Sequence, residues 1–390
     1  MRYSPTIFSA LVEPLDRRRF EAIVARHNGD AYDKSFYSWN HLLALVYAQF
    51  ADLDSLRALE AGWNANAQHH YHLGCGALDS STLADANKRR PVAVFLDVFD
   101  LIAGLLDRQC RNDGRAFLRL IDSTPIPLGK ICRWAKSNGR IRGMKVHVVY
   151  DPHHDLPRVL DITDANVNDA QVGRTIEILP DATYLFDKGY VHYRWWLAIH
   201  QACSVFVTRP KENMGLRVLA TRPLAQTRGD GFVVLADEDV ALSSKGDSKL
   251  PIPLRRLRIQ RDNAKAISLL TNDTKRSAVE IGALYKARWQ IELLFRWIKQ
   301  HLKIRKFLGV NPNAIKLQIY AAMIAYALLR LAANMRCCAW PPKPKRSLTP
   351  SCGSPTSCEN ACSTGATSPQ STSPQPSIPI ENKTETHPIK

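Results

Sequence analysis

Three carboxylates stand where an acid can do more than solvate a surface. Asp122 closes an apolar run, Phe117 to Ile121, that reads as a buried strand. Asp187 closes a second such run, Thr183 to Phe186, and Glu292 lies far downstream in a segment of helical spacing. Carboxylates from strand ends, joined by one from a helix, form an all-oxygen ligand set for hard divalent cations and can hold two Mg²⁺ ions. Two such ions can clamp the attacking and the leaving oxygen of a phosphodiester. Taken singly each acid says little, because an Asp after a strand is more often a turn or cap residue.

The helix around Glu292 says more. At 100° per residue from Tyr285, Arg288 falls at about 300°, Glu292 at about 340° and Lys299 at about 320°, one stripe about 60° wide. Leu284, Ala287, Ile291, Leu294, Phe295 and Ile298 cluster between about 180° and 280°. The polar stripe therefore borders the core face and can look into a cleft. An acid between two cations there suits a metal ligand flanked by phosphate-binding groups. The bland alternative is an amphipathic helix with an internal Arg288–Glu292 pair, worth about 0.3–0.5 kcal/mol.

The elements that must position these residues follow from patterning. Residues 1–112 read as helical: Ser38 to Phe50 and Ser55 to Trp63 have apolar helical spacing about a short Asp52-Leu-Asp54 break, and a further helix starts at the N-cap candidates Ser80 to Thr82 and stops at Pro91. Its basic end, Asn87 to Arg90, could meet phosphates or simply face solvent. From residue 113 to 208 the texture becomes mixed: strands at 117–121, 144–150, 158–162, 183–186 and 203–208, with helices at 166–179 and 191–200. Residues 209–272 read as a β-rich insertion, and 273–336 as core helices, one from Ser277 to about Lys306 and one from Ala314 to Met335. The fold expected is α/β: a mixed-sheet core with a β-rich insertion, a helical N-terminal domain and a disordered C-terminal tail at 337–390. Residues 341–390 hold 10 of the 23 prolines, and such a segment buries too little apolar surface to offset its ordering entropy.

Charge narrows the partner. Lys+Arg total 53 against 36 Asp+Glu, a net +17 over 390 residues, which points to a polyanion, nucleic acid or an anionic membrane face. No stretch reaches the ~18 uninterrupted apolar residues of a spanning helix, and Met1 to Pro5 has no secretory character, so a cytoplasmic protein with no membrane role is expected. The 9 cysteines include no CxxC pair, and His69, His70, His72 and Cys75 are too close together for a zinc site and read as a loop.

The string Tyr285-x-x-Arg288-x-x-x-Glu292-x-x-x-x-x-x-Lys299 resembles the Tyr-Arg-Glu-Lys signature of the insertion sequence four family of bacterial DDE transposases. Ile121-Asp122-Ser-Thr124 is similar to the segment bearing that family's first catalytic Asp, and Phe186-Asp187-Lys-Gly-Tyr190 to the segment bearing its second. Lys145 to Asp151 and Asn166 to Asp169 also look like the family, and the likeness covers roughly residues 5 to 335. The resemblance implies a ribonuclease-H-like core and an enzyme that cuts an element free at its terminal inverted repeats and joins it to target DNA, in some relatives through a hairpin. It implies that Asp122, Asp187 and Glu292 are catalytic and bind two Mg²⁺ ions, with Mn²⁺ able to substitute. Arg288 and Lys299 would hold phosphates and Tyr285 would orient the backbone. The implied partner is double-stranded DNA, bridged by a homodimer in a synaptic complex at the bacterial nucleoid. The helical N-terminal region would recognise the repeats.

Two features depart from the family. No Trp lies between Trp196 and Trp289 to stack on a flipped base, with Phe232 a weak substitute, and the sequence after Met335 has the character a reading-frame change would leave. Two other functions use the same core: a DNA-binding remnant that has lost catalysis, and a structure-specific nuclease.

Overall fold

A computed structural model of the chain describes residues 6–110, 117–153, 155–243, 251–261, 264–302 and 306–338. The expected tail lies, from residue 339 on, outside the described residues.

Among the described residues, seven α-helices precede the first strand: α1 Ile7–Val12, α2 Arg17–Arg26, α3 Ser38–Phe50, α4 Leu56–Asn64, α5 His70–Leu73, α6 Ser80–Arg89 and α7 Val92–Cys110. Side-chain caps start four of them, Thr6, Asp16, Ser55 and Asp79 each accepting from a backbone N–H three residues on. Asp79, not the Ser80–Thr82 run, caps α6. The short side-chain oxygen one position earlier reaches the free N–H of Thr82 at 2.9 Å.

The strands β1 Leu118–Pro127, β2 Gly143–Asp151, β3 Leu156–Asp164, β4 Thr183–Phe186 and β5 Val205–Thr208 form the mixed core, with α8 Asp169–Gly173 and α9 Tyr193–Gln201 between them. Then come β6 Leu216–Thr221, β7 Arg228–Gly229, β8 Phe232–Leu242, β9 Leu254–Arg261 and β10 Ile267–Thr271, and the helices α10 Ala278–Ala287, α11 Trp289–His301 and α12 Pro312–Cys338. Strand order is β3-β2-β1-β4-β5-β10-β9-β8-β6, with β7 on β8. β1, β4 and β5 are parallel and the other pairs antiparallel. The β-rich segment thus continues the core sheet: β10 pairs with β5 and covers backbone groups that an edge strand would leave open.

Two apolar cores sandwich the sheet. The larger joins one sheet face to α12, to α3, α6 and α7 of the N-terminal region, and to α10 and α11. The smaller packs α9, through Trp195, Trp196 and Ile199, on the other face. All described residues fall in one compact unit, because the N-terminal helices share the larger core with the sheet. α12 is the one helix among the described residues long and apolar enough to cross a membrane. Since 83% of its apolar window is buried inside the protein, it serves as the core helix.

Several expectations change. The helix expected over 166–179 is only α8, five residues long. Thr175 turns its hydroxyl onto the Val172 carbonyl, competing with the helical ladder, and Gly173 packs directly against Tyr190. β1 runs through Asp122 to Pro127, so Asp122 lies inside the strand. β4 stops pairing at Ile121–Phe186, and Pro125 and Pro127 follow where β1 is bonded on one side only. The basic end of α6 is consumed internally: Arg89 and Arg90 both bond Asp33, and Asn87 accepts from His41. The histidine cluster forms a 3₁₀ turn and α5, with His70 donating to the Trp63 carbonyl and stacking on its ring.

Candidate active site

Alternation along the strands sets the side on which each acid emerges. Leu118, Leu120 and Ile126 of β1 belong to the larger core and Ile121 to the smaller, so Asp122 points to the side of α10, α11 and α12. Leu185 and Phe186 divide the same way, and Asp187 continues in extended conformation on the side of Leu185. α11 buries Ile291, Leu294, Phe295 and Ile298 on that face and brings Glu292 to the strand acids.

The helix expected as one piece breaks at Arg288, between α10 and α11. Arg288 stays in αR geometry but is a joint rather than part of either run, with φ −54° and ψ −28°. Its Nη1 donates to Asp122 Oδ2 at 3.2 Å, across 166 positions of sequence, and its Nη2 donates to Glu292 Oε1. The guanidinium also lies 5.7 Å from the centre of the Tyr285 ring, in cation–π range. Tyr285 is buried at 3% exposure and its hydroxyl has no hydrogen-bond partner. It thus underlies Arg288 rather than lining open surface. Lys299 is half-buried two turns beyond Glu292 on α11.

Electrostatically the site is unfinished. Burial pushes the Asp122 carboxyl up to about 6. Arg288 and the Ser123 N–H oppose that shift, and the charges of Asp187 and Glu292 add to it. Asp187 Oδ1 and Arg288 Nε are buried without partners. Arg288 stands between Asp122 and Glu292, and among the described residues no group of three acids or other ligating side chains closes to metal-binding distance.

A second cluster lies behind Asp122 on the other sheet face. Ser123 donates through its N–H to Asp122 Oδ1 and through its hydroxyl to Asp169 Oδ1 at 3.1 Å. Lys145 Nζ donates to the same Asp169 oxygen at 2.9 Å, and His147 lies between Tyr190 and Thr163. Sequence reasoning gave Lys145, His147 and Asp169 no role, although their segments were family-like. Trp289 is 46% exposed beside the site. It lines a cavity of about 630 Å³ with Tyr285, Lys286 and Phe232, between α10 and the β7–β8 turn. Phe232 itself is 4% exposed and wedged against Gly229 and Gly282, a core residue.

Residues 117–328 match the transposase DDE domain family, and residues 4–76 match a domain of unknown function. A Sinorhizobium fredii protein named as transposase y4zB is 71% identical over 253 residues, 65% of this chain and 71% of that protein. The Geobacillus stearothermophilus protein named as transposase for insertion sequence element IS5377 is 32% identical over 256 residues, 64% of this chain and 66% of that protein. A Synechocystis protein named as transposase for insertion sequence element IS4SA is 29% identical over 265 residues, 65% of this chain and 72% of that protein. The 212 matched positions span more than half the chain and hold all three acids, the joint and the mixed sheet that carries them. The chain belongs to the DDE transposases of the insertion sequence four type.

Proposed function

We propose that this chain cuts DNA at the terminal inverted repeats of an insertion sequence and joins the freed ends to target DNA, with Asp122, Asp187 and Glu292 as its catalytic acids. One observation carries the reading. Arg288, at the joint of α10 and α11, bonds the strand acid Asp122 and the helix acid Glu292 at once, on the side of the sheet where Asp187 also emerges.

The donor set fits divalent cations. Three carboxylates gather on one side of the sheet with Asp187 Oδ1 unpaired, and burial, reinforced by the charges of Asp187 and Glu292, raises the Asp122 carboxyl, so added positive charge is favoured there. Asp122, Asp187 and Glu292 would hold two Mg²⁺ ions, for which Mn²⁺ can stand in. Such ions supply nucleophile activation and leaving-oxygen stabilisation for in-line displacement at phosphorus. The chain's own residues do the rest. Arg288 has a planar fork of donors suited to a phosphate and holds it once its carboxylates are otherwise engaged. Tyr285 supports the guanidinium from below and so sets its plane. Lys299, on the same helix as Glu292, adds a second cation for the DNA backbone. The N-terminal helices, through their shared core with α12, hold repeat recognition in fixed relation to the acids. A homodimer bridging two ends and a hairpin intermediate complete the reading.

A gel assay on a labelled duplex carrying the inverted repeats tests it, with Mg²⁺ or EDTA and with wild type, Asp187→Ala and Glu292→Gln. Nicks at the repeat boundary that need Mg²⁺ and both acids are expected, and a hairpin product separates transposition from plain nuclease action. A shifted band without cleavage in Mg²⁺ or Mn²⁺ would mean a DNA-binding protein without catalysis.

A further inference from the structure

The connection between β1 and β2 is the most one-sidedly charged stretch near the site. Residues 129–142 contain Lys130, Arg133, Lys136, Arg140 and Arg142, and no acid occurs from Ser123 through Tyr150. All five cations are exposed. Lys136 pairs with Asp164 at 3.0 Å. Lys130, Arg133, Arg140 and Arg142 have no carboxylate partner among the described residues, whereas Arg89, Arg90, Arg119, Arg222, Arg255 and Arg256 are all paired.

The loop is also firmly built. Leu128, Cys132 and Ala135 are buried in the larger core. Trp134 Nε1 donates to the Val310 carbonyl at 2.7 Å, in the segment leading into α12. The tip turns at Gly139, with φ +89°, where Asn138 Oδ1 accepts from the N–H groups of Arg140 and Ile141. The chain re-enters β2 at Gly143, where a Cβ would lie 2.1 Å from the Ile126 carbonyl oxygen. Cations on an anchored loop are held apart in place, and the ordering entropy of the loop is spent in folding rather than in binding.

Its position relates it to the acids. β1 outruns β4 beyond Asp122, and the loop begins after Pro127, about 17 Å along the strand at ~3.3 Å per residue. That is the rise of about five base pairs of duplex at ~3.4 Å each.

We infer that the 129–142 loop is a DNA-backbone clamp: Lys130, Arg133, Arg140 and Arg142 bind phosphates about five base pairs from the bond cut at Asp122. The inference rests on the reading of this chain as a DNA-cutting enzyme and adds a contact surface outside its acids. A phosphate ladder is the polyanion that suits it, since four unpaired cations on a rigid loop match charge at regular spacing without needing base contacts. Two DNAs offer that chemistry, the element's own end and the target.

The test measures affinity of the full chain for two labelled duplexes, one ending in the inverted repeat and one of equal length and unrelated sequence, across a salt titration. The variant is Lys130→Gln/Arg133→Gln/Arg140→Gln/Arg142→Gln. Its dependence of log affinity on log salt should be shallower than wild type by about 0.9 per lost contact, about 3–4 in all. The charge-keeping variant Arg133→Lys/Arg140→Lys/Arg142→Lys should retain the wild-type slope. Loss on both duplexes supports a sequence-blind clamp, loss on the repeat duplex alone a clamp on the element's end, and loss on the unrelated duplex alone a clamp on the target. If the fourfold variant does not fold, Lys130→Gln/Arg133→Gln and Arg140→Gln/Arg142→Gln should each give about half the effect. Slopes matching wild type on both duplexes overturn the clamp alone. Wild type that binds neither duplex overturns the clamp and the DNA-cutting reading together.

Discussion

Two arginine–carboxylate clusters, one at Arg255 and one at Arg288, use the same chemistry to opposite ends. Arg255 on β9 gives Nε and Nη2 to the two oxygens of Asp237 on β8, at 2.7 and 2.6 Å, and Nη1 to the carbonyls of Asp273 and Arg276. Both side chains are 4% exposed. Every strong donor and acceptor there has a partner, so the cluster joins β8, β9 and the entry to α10 and has nothing left to offer. Arg288 divides its fork between Asp122 and Glu292, leaves Nε unpaired, and sits at 16% exposure beside an unpaired Asp187 oxygen and an unpaired Tyr285 hydroxyl. Unused bonding capacity in a partly open place separates a site from a structural brace. Such capacity costs stability and is found where function requires it.

The largest expected effect breaks the comparison on the side of function. Asp187→Ala and Glu292→Gln should each lower strand cleavage by at least about 10²–10³-fold while the thermal melt stays close to wild type, because neither removes a closed bonding network. Cleavage close to wild type in either variant would take that acid out of the site.

Swapping the target residue sharpens the contrast. Arg255→Ala strands Asp237 in a dry interior and should cost about 3–5 kcal/mol in chemical denaturation. Arg288→Ala should change stability by no more than about 1 kcal/mol, since Asp122 can take a proton instead, yet it should abolish cleavage. Equal destabilisation by the two variants would mean that Arg288 is as much a structural brace as Arg255.

A smaller effect marks the Arg288 cluster by the ion it can take up. Mg²⁺ should stabilise the wild type by about 2.7 kcal/mol at a hundredfold excess over its Kd, and the melting temperature should keep rising with the logarithm of its concentration. The rise should vanish in Asp187→Ala and persist in Arg222→Ala, whose partner Asp239 belongs to the β8–β6 edge. A rise that survives Asp187→Ala would place the ion elsewhere.

The gentlest effect, spread over several pH units, concerns a buried polar group that is structural. Burial, reinforced by Arg90, pushes the His41 imidazole down to about 3, while its Nε2–H donates to Asn87. Its folded value lies below its ordinary 6.5, so the unfolded chain binds the extra proton first. Stability should be unaffected by this group above pH 6.5. It should fall by about 1.4 kcal/mol per unit as pH drops from 6.5 toward 3, and level off below. The single variant His41→Gln, melted across that range beside wild type, should lack the slope, and an unchanged slope would assign the acid sensitivity to other groups.

Legibility in the sequence followed locality. β4 was readable to the residue, since Thr183 to Phe186 is a short apolar run buried on both faces. α3 and α12 were readable because their apolar residues repeat at helical spacing. The polar stripe from Tyr285 to Lys299 was also readable, but not its depth: Tyr285 is core and Arg288 is a joint. The shortening of the 166–179 helix depended on Gly173 meeting Tyr190, and the internal pairing of Arg89 and Arg90 on Asp33 more than fifty positions upstream. Neither contact leaves a periodic trace.

The sequence by itself determined which residues could form the chemistry, because residue type, strand patterning and helical spacing are local properties of the chain. It also marked the family, through Asp122, Asp187 and the Tyr285–Lys299 string, and the basic excess that calls for a polyanion. Only the tertiary structure decided that Asp122 lies within β1 where β4 ends, that Arg288 bridges acids 166 positions apart, and that β6–β10 extend the core sheet. It alone showed four cations of the 129–142 loop standing unpaired on a braced scaffold. Such facts come from pairing and packing between distant segments, whose free energy is set when the segments meet and is written in neither segment alone.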